Sequence, residues 1–171
     1  MITPDTKDWT WVLDAPCPEC GLVAADVAVA EVGRLVRENA ARWPGLLAAP
    51  GAARRPDPGT WSPTEYGAHV RDVHRVFAER VRLMLDEHAP TFDDWDQDAA
   101  AVAGRYDEAD PTEVAADLVA AAEAVADLYD DVPPSAHDRP GSRSNGSVFT
   151  VASIARYHLH DVVHHLHDLR R

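Results

Sequence analysis

A chain of 171 residues with 46% hydrophobic content is long enough to bury a core as one domain and too apolar to be disordered. Its formal net charge of −13 repels phosphate backbones and anionic lipid surfaces, which argues against nucleic acid or a membrane as partner. No apolar run approaches the ~20 residues that span a bilayer, and the opening MITPDTKDWTW lacks the basic-then-apolar pattern of a secretion signal, so a cytoplasmic location is expected.

Residues 1–25 read as an irregular arm, with Trp9, Trp11, Val12 and Leu13 able to pack on a core. The arm carries both cysteines of the chain, in Pro16-Cys17-Pro18-Glu19-Cys20-Gly21. A reducing compartment disfavours a structural disulfide there; redox chemistry, half of a metal site or free thiols remain. A single domain over residues 26–171 follows.

A first helix is expected over residues 27–42, capped by Asp26, with Val32, Leu35, Val36 and Trp43 as its apolar side and Pro44 ending or kinking it. Residues 50–59 are a turn-rich connection. The second helix has the clearest start: Ser62-Pro63-Thr64-Glu65 places Ser at the N-cap, Pro at N1 and Glu at N3, a capping box. Trp61 and Tyr66 can staple that end, and Val70, Val73, Phe77, Val81 and Met84 continue at helical spacing to about Asp86. Residues 88–109 are acidic and irregular, with a short helix near residues 97–104. Asp110-Pro111-Thr112-Glu113 repeats the cap grammar and opens a third helix whose seam is Val114, Leu118, Ala121, Val125 and Leu128. Residues 133–148 read as a loop with a turn at Asn145-Gly146, and Thr150 caps a last helix running nearly to the end. No alternating strand pattern is evident. The expectation is all-α, four amphipathic helices packed as a bundle.

Five of the nine histidines fall between residues 158 and 167. Imidazoles one turn apart on a helix converge on one point, as a metal requires. At ~100° per residue, Val151, Ala155, Val162, Leu166 and Leu169 define the core stripe. His158 and His165 lie at its edge with Asp161 beside them; His160, His164 and His167 lie opposite. The inward face thus offers Asp161 and His165 at i, i+4, and His69 on the second helix sits at the edge of its own apolar stripe. Two His and one carboxylate make an open site, with positions left for water or substrate.

The run Trp61-Ser62-Pro63-Thr64-Glu65-Tyr66-Gly67-Ala68-His69 resembles the Trp-Ser…Ala-His signature of the DinB-like superfamily, which includes mycothiol-dependent maleylpyruvate isomerases. Asp161-Val162-Val163-His164-His165, read on to Asp168-Leu169, is similar to its Glu-x-x-x-His-x-x-Asp-Leu pattern, with Asp161 where the family has Glu or His. Over residues 27–171 the resemblance implies an up-down-down-up four-helix bundle and a divalent metal, zinc or nickel, on His69, Asp161 and His165. It also implies a homodimer, and S-transfer or isomerisation with a low-molecular-weight thiol and a small electrophile. A competing register, His160-Asp161-Val162-Val163-His164, would make His160 and His164 the ligands; the phase of the buried stripe favours Asp161 and His165.

Cys17 and Cys20 with His160 and His164 have the ligand types of a Cys2His2 zinc site. The hypothesis is a closed site that fastens the arm to the outer face of the last helix. Phe92 to Asp98 reads either as a cation or substrate rim or, by preference, as a solvated loop anchored by Phe92 and Trp95. Residues 139–147, with Arg143, either bind an anionic thiol conjugate or form a flexible turn-rich loop. His74, His88 and His137 have no partner at useful spacing and read as surface or packing residues. No P-loop, dinucleotide fingerprint or nucleophile elbow is present. Besides a thiol-dependent metalloenzyme, two readings stand: a non-catalytic module that sequesters a ligand, and an interaction domain with a purely structural metal.

Overall fold

The computed structural model describes Ile2 and residues 8–169. The arm makes two 3-10 turns, Thr10–Leu13 and Ala24–Asp26, and then enters α1, Val29–Ala40. Asp26 is absorbed in the second turn, so the N-cap of α1 is Ala28, without a side-chain cap. Pro44 does not continue α1 but sits in the first turn of a separate short helix, α2, Trp43–Leu47. There its missing N–H costs nothing.

The capping box at Ser62 is formed: Glu65 N–H donates to Ser62 Oγ at 3.2 Å, and Ser62 N–H donates to the Glu65 carboxylate at 2.8 Å. Trp61 meets Tyr66 edge-on, ring centroids 5.4 Å apart. Helix α3 then runs over Pro63–Asp86. Arg55 clasps the Glu65 carboxylate from the preceding connection. A short helix α4, Gln97–Ala103, precedes α5, Pro111–Asp131, which Asp110 caps through the N–H groups of Thr112 and Glu113. Helix α6, Val151–Asp168, starts from a second capping box, Thr150 with Ser153.

The absence of strands is corrected. Thr91–Phe92 (β1), Pro140–Arg143 (β2) and Val148–Thr150 (β3) form a three-stranded sheet in the order β1-β2-β3. Its strands are two to four residues long, and β2 opens on Pro and Gly, so no period-2 pattern could announce them. The Asn145-Gly146 turn closes the β2–β3 hairpin, with Gly146 at φ +98°. Residues 139–147 are therefore an ordered hairpin and not a loose loop.

The four long helices pack around one core that includes Trp43, Met84, Leu118 and Ile154. Helices α1 and α3 each lie against both α5 and α6. The seam of α5 is rotated from the expected one: Ala122, Ala126 and Tyr129 are buried, while Ala121 and Leu128 sit at its edge. A straight helix drifts away from a strict heptad by ~20° per repeat. Helices α3 and α6 run in opposite directions, His69 meeting His165 near one end and His74 meeting His158 further along. That crossing positions the site. Among the described residues no helix is long and apolar enough to cross a membrane.

Candidate metal centre

His69 is buried, nearly two turns into α3, because Gly67 lets the start of that helix approach its neighbours. A Cβ at residue 67 would lie 3.0 Å from Leu47 and 3.1 Å from Val114. His69 Nε2 faces His165 Nε2 at 2.9 Å, and Asp161 Oδ1 lies 3.0 Å from the same His165 atom. On α6, Asp161 and His165 are one turn apart, so a carboxylate oxygen and an imidazole nitrogen point the same way. These three groups each bring a donor atom within 4.8 Å of the others. Asp168 completes the arrangement, its Oδ2 accepting from His165 Nδ1 at 3.2 Å. A proton held on Nδ1 leaves the Nε2 lone pair facing inward, the usual arrangement behind a metal-bound imidazole.

The electrostatics ask for a positive charge at that point. Burial would lower the pKa of His165, but hydrogen bonds to Asp161 and Asp168 outweigh it and raise the ring to about 9. Burial, and then the neighbouring His165, push His69 down to about 3. Burial opposes ionisation of Asp161, yet its contact with His165 holds the carboxyl well below the usual range. Two imidazole nitrogens 2.9 Å apart beside a carboxylate are balanced by a proton on His165 or by a cation between them. Among the described residues His69 Nδ1 is buried without a hydrogen-bond partner, so the ring's polar contact in this site is through Nε2. The donor set fits a divalent metal.

The centre opens on a cavity of about 960 Å³, lined among others by Asp161, His165, Tyr66, Trp95, Arg80 and Arg143. Trp95 stacks on the His69 ring with centroids 5.4 Å apart and planes at 12°. The acidic segment is solvent-exposed at Asp93, Asp94 and Asp96, as expected of a solvated loop, and residues 94–98 also form a rim of the cavity. A spacing argument could see Trp95 only as an anchor, since nothing local ties it to His69. Arg143 is also in the wall, its guanidinium held by Asn145 Oδ1 and Ser147 Oγ and lying 3.4 Å from Asp94. Arg80 stands behind it over Phe77 and Phe92, its pKa lowered by burial and by the charge of Arg143.

The other histidines of α6 divide as follows. His160 and His164 do not join His69; they face the arm, each with a ligand atom within 4.8 Å of those of Cys17 and Cys20. Cys17 Sγ is 3.7 Å from His164 Nδ1. The face expected to lie outside the bundle is covered, His160 being 3% and His164 8% exposed. Trp9 provides part of that cover, with ring centroids 5.8 and 4.8 Å from the two imidazoles; Trp11 is 37% exposed and stacks on Trp9. His158 is fully buried and hydrogen-bonds through Nδ1 to Tyr129 Oη and through Nε2 to His74 Nδ1, each at 2.9 Å. His74 is thus part of a buried polar chain and not an isolated packing residue. His88 is exposed and His137 half-buried.

No curated protein matches the chain. Among solved structures it is similar to YfiT from Bacillus subtilis, described as a probable metal-dependent hydrolase with an unusual four-helix bundle topology. The TM-score is 0.71 over 82% of this chain and 83% of that one, at 19% identity, a likeness of fold. The family model of the DinB superfamily matches residues 36–169, which include α3, α5 and α6 and every residue of the His69–Asp161–His165 cluster. The chain belongs to the DinB superfamily.

Proposed function

We propose that the protein is a metal-dependent enzyme whose ligands are His69, Asp161 and His165, with zinc the metal that two imidazoles and a carboxylate suit best and nickel the alternative. The observation that carries this reading is the convergence of three donor atoms, backed by Asp168, at the edge of a cavity large enough for a small substrate. A divalent cation there lowers the pKa of a thiol or a water that binds it. The remaining work falls to the chain itself. Asp168 keeps the His165 tautomer, Trp95 shields His69 from solvent, and Arg143 offers a guanidinium to a carboxylate or other anionic group.

The substrate pair in this reading is a low-molecular-weight thiol of the mycothiol class and a small electrophile, giving S-transfer or thiol-assisted isomerisation. Hydrolysis is the second reading, favoured by the similarity to a probable metal-dependent hydrolase. Sequestration without turnover is the third. The up-down-down-up order has support from contacts along the bundle: Val27 with Arg156 and Asn39 with Val162 make α1 and α6 parallel, and Gly67 with Val114 and Arg75 with Asp117 make α3 and α5 parallel. Homodimerisation is retained from the family.

The deciding experiment incubates metal-loaded protein with thiols and electrophiles, or with ester and amide substrates, and follows products by mass spectrometry. Multiple turnovers are expected for wild type and a loss of at least a hundredfold in kcat/KM for His69→Ala. Full activity in that variant defeats the proposal, and one-to-one capture without product favours sequestration.

A further inference from the structure

The arm and the outer face of α6 carry a second cluster that the centre above does not use. We propose that Cys17, Cys20, His160 and His164 bind a second zinc ion in a closed site that clamps the N-terminal arm onto α6.

The arm is shaped for it. Cys17 N–H donates to Leu22 carbonyl at 3.0 Å and Gly21 N–H donates to Cys17 carbonyl at 2.9 Å, folding Cys17–Leu22 into a tight knuckle. Gly21 completes the turn at φ +78°, a conformation that other residues rarely adopt. The knuckle turns Cys17 and Cys20 toward the same side, and His160 and His164, one helical turn apart, meet them. All four ligand atoms lie within 4.8 Å of one another. Two thiolates and two imidazoles are a tetrahedral zinc set with no position left for substrate.

The metal-free alternative leaves loose ends. Cys17 and His164 share a contact of 3.7 Å, but His160 Nε2 is buried with no hydrogen-bond partner among the described residues. Cys17 is 1% exposed and His160 3% exposed, so water does not make up the difference. Burying a ring nitrogen without a partner costs its desolvation, with nothing to offset it.

The placement has a consequence for the cavity. Asp8, Trp9 and Glu19, all from the arm, line it beside Asp161 and His165. The two ligand pairs, 160 with 164 and 161 with 165, are offset by one residue on α6, so they face neighbouring directions. The zinc clamp therefore holds one wall of the cavity in place while the His69 centre keeps its open positions.

Cobalt substitution reads the site directly. Metal-stripped wild type reloaded with Co(II) is expected to show thiolate-to-cobalt charge transfer in the near ultraviolet with intense visible bands of tetrahedral cobalt. His69→Ala retains both; Cys17→Ser/Cys20→Ser loses the charge transfer and one equivalent of bound metal. Because that double variant could fail to fold, the zinc-loaded wild type is also titrated with a mercurial, and one zinc should leave for each two thiols modified. A wild type without charge transfer, a mercurial titration that releases no zinc, or a Cys17–Cys20 disulfide in protein purified under reducing conditions overturns the proposal. Failure here leaves the His69 centre untouched, since that centre is read by His69→Ala.

Discussion

Asp168 shows how much a residue outside the ligand set can matter. It accepts from His165 Nδ1, and so fixes which nitrogen of that ring carries the proton. Carboxylates in this position typically contribute 10- to 100-fold in metal affinity. Asp168→Ala is therefore expected to weaken binding at the His69 centre by that order while leaving the helical circular dichroism unchanged. Since Asp168 also lies 3.7 Å from His164 Nε2, the measurement belongs in the Cys17→Ser/Cys20→Ser background, by competition with a chromophoric chelator. An affinity within twofold of the parent would mean that His165 is held by its packing alone.

At the scale of elements, the starts of α3, α5 and α6 were legible because their caps are local chemistry: Ser62 with Glu65, Asp110 with Thr112 and Glu113, Thr150 with Ser153. His69, Asp161 and His165 were legible through helix phase and through the family's motif. The sheet was not, since β1 is held by residues of β2 that follow it by 51 positions and the strands have no pattern of their own. His74 was missed for a related reason, its partner His158 being visible only once two helices cross. Packing of α1 on α5 was equally silent. A Cβ at Gly33 would sit 2.8 Å from the Ala126 carbonyl and press on the Asp130 carboxylate, which Arg37 already holds at 2.7 Å. Overpacking of this kind costs about 1–3 kcal/mol, against the ~1 kcal/mol that alanine gains over glycine inside a helix. Gly33→Ala should lower the urea midpoint; a higher midpoint would show that α1 and α5 separate freely.

For the molecule as a whole, the buried chain Tyr129–His158–His74 ties stability to pH. Burial is the main cause that holds His74 well below its ordinary value and His158 at about 4. In the unfolded chain both titrate near ~6.5. Below that pH the unfolded state binds protons that these folded rings refuse, so their contribution is complete above ~6.5 and is lost as pH falls toward 4. Each such histidine adds up to about 1.4 kcal/mol per pH unit to the slope in that window. Replacing His74 by Leu leaves His158 Nε2 unpaired, a constant penalty, but removes one titrating group. The expectation for chelator-treated protein is thus a variant less stable at pH 7 whose stability falls less steeply between pH 6.5 and 4. Urea titrations at half-unit steps would measure both slopes. Parallel curves would mean that His74 takes up its proton in the folded state as readily as in water, and that this end of the α3–α6 interface is open to solvent.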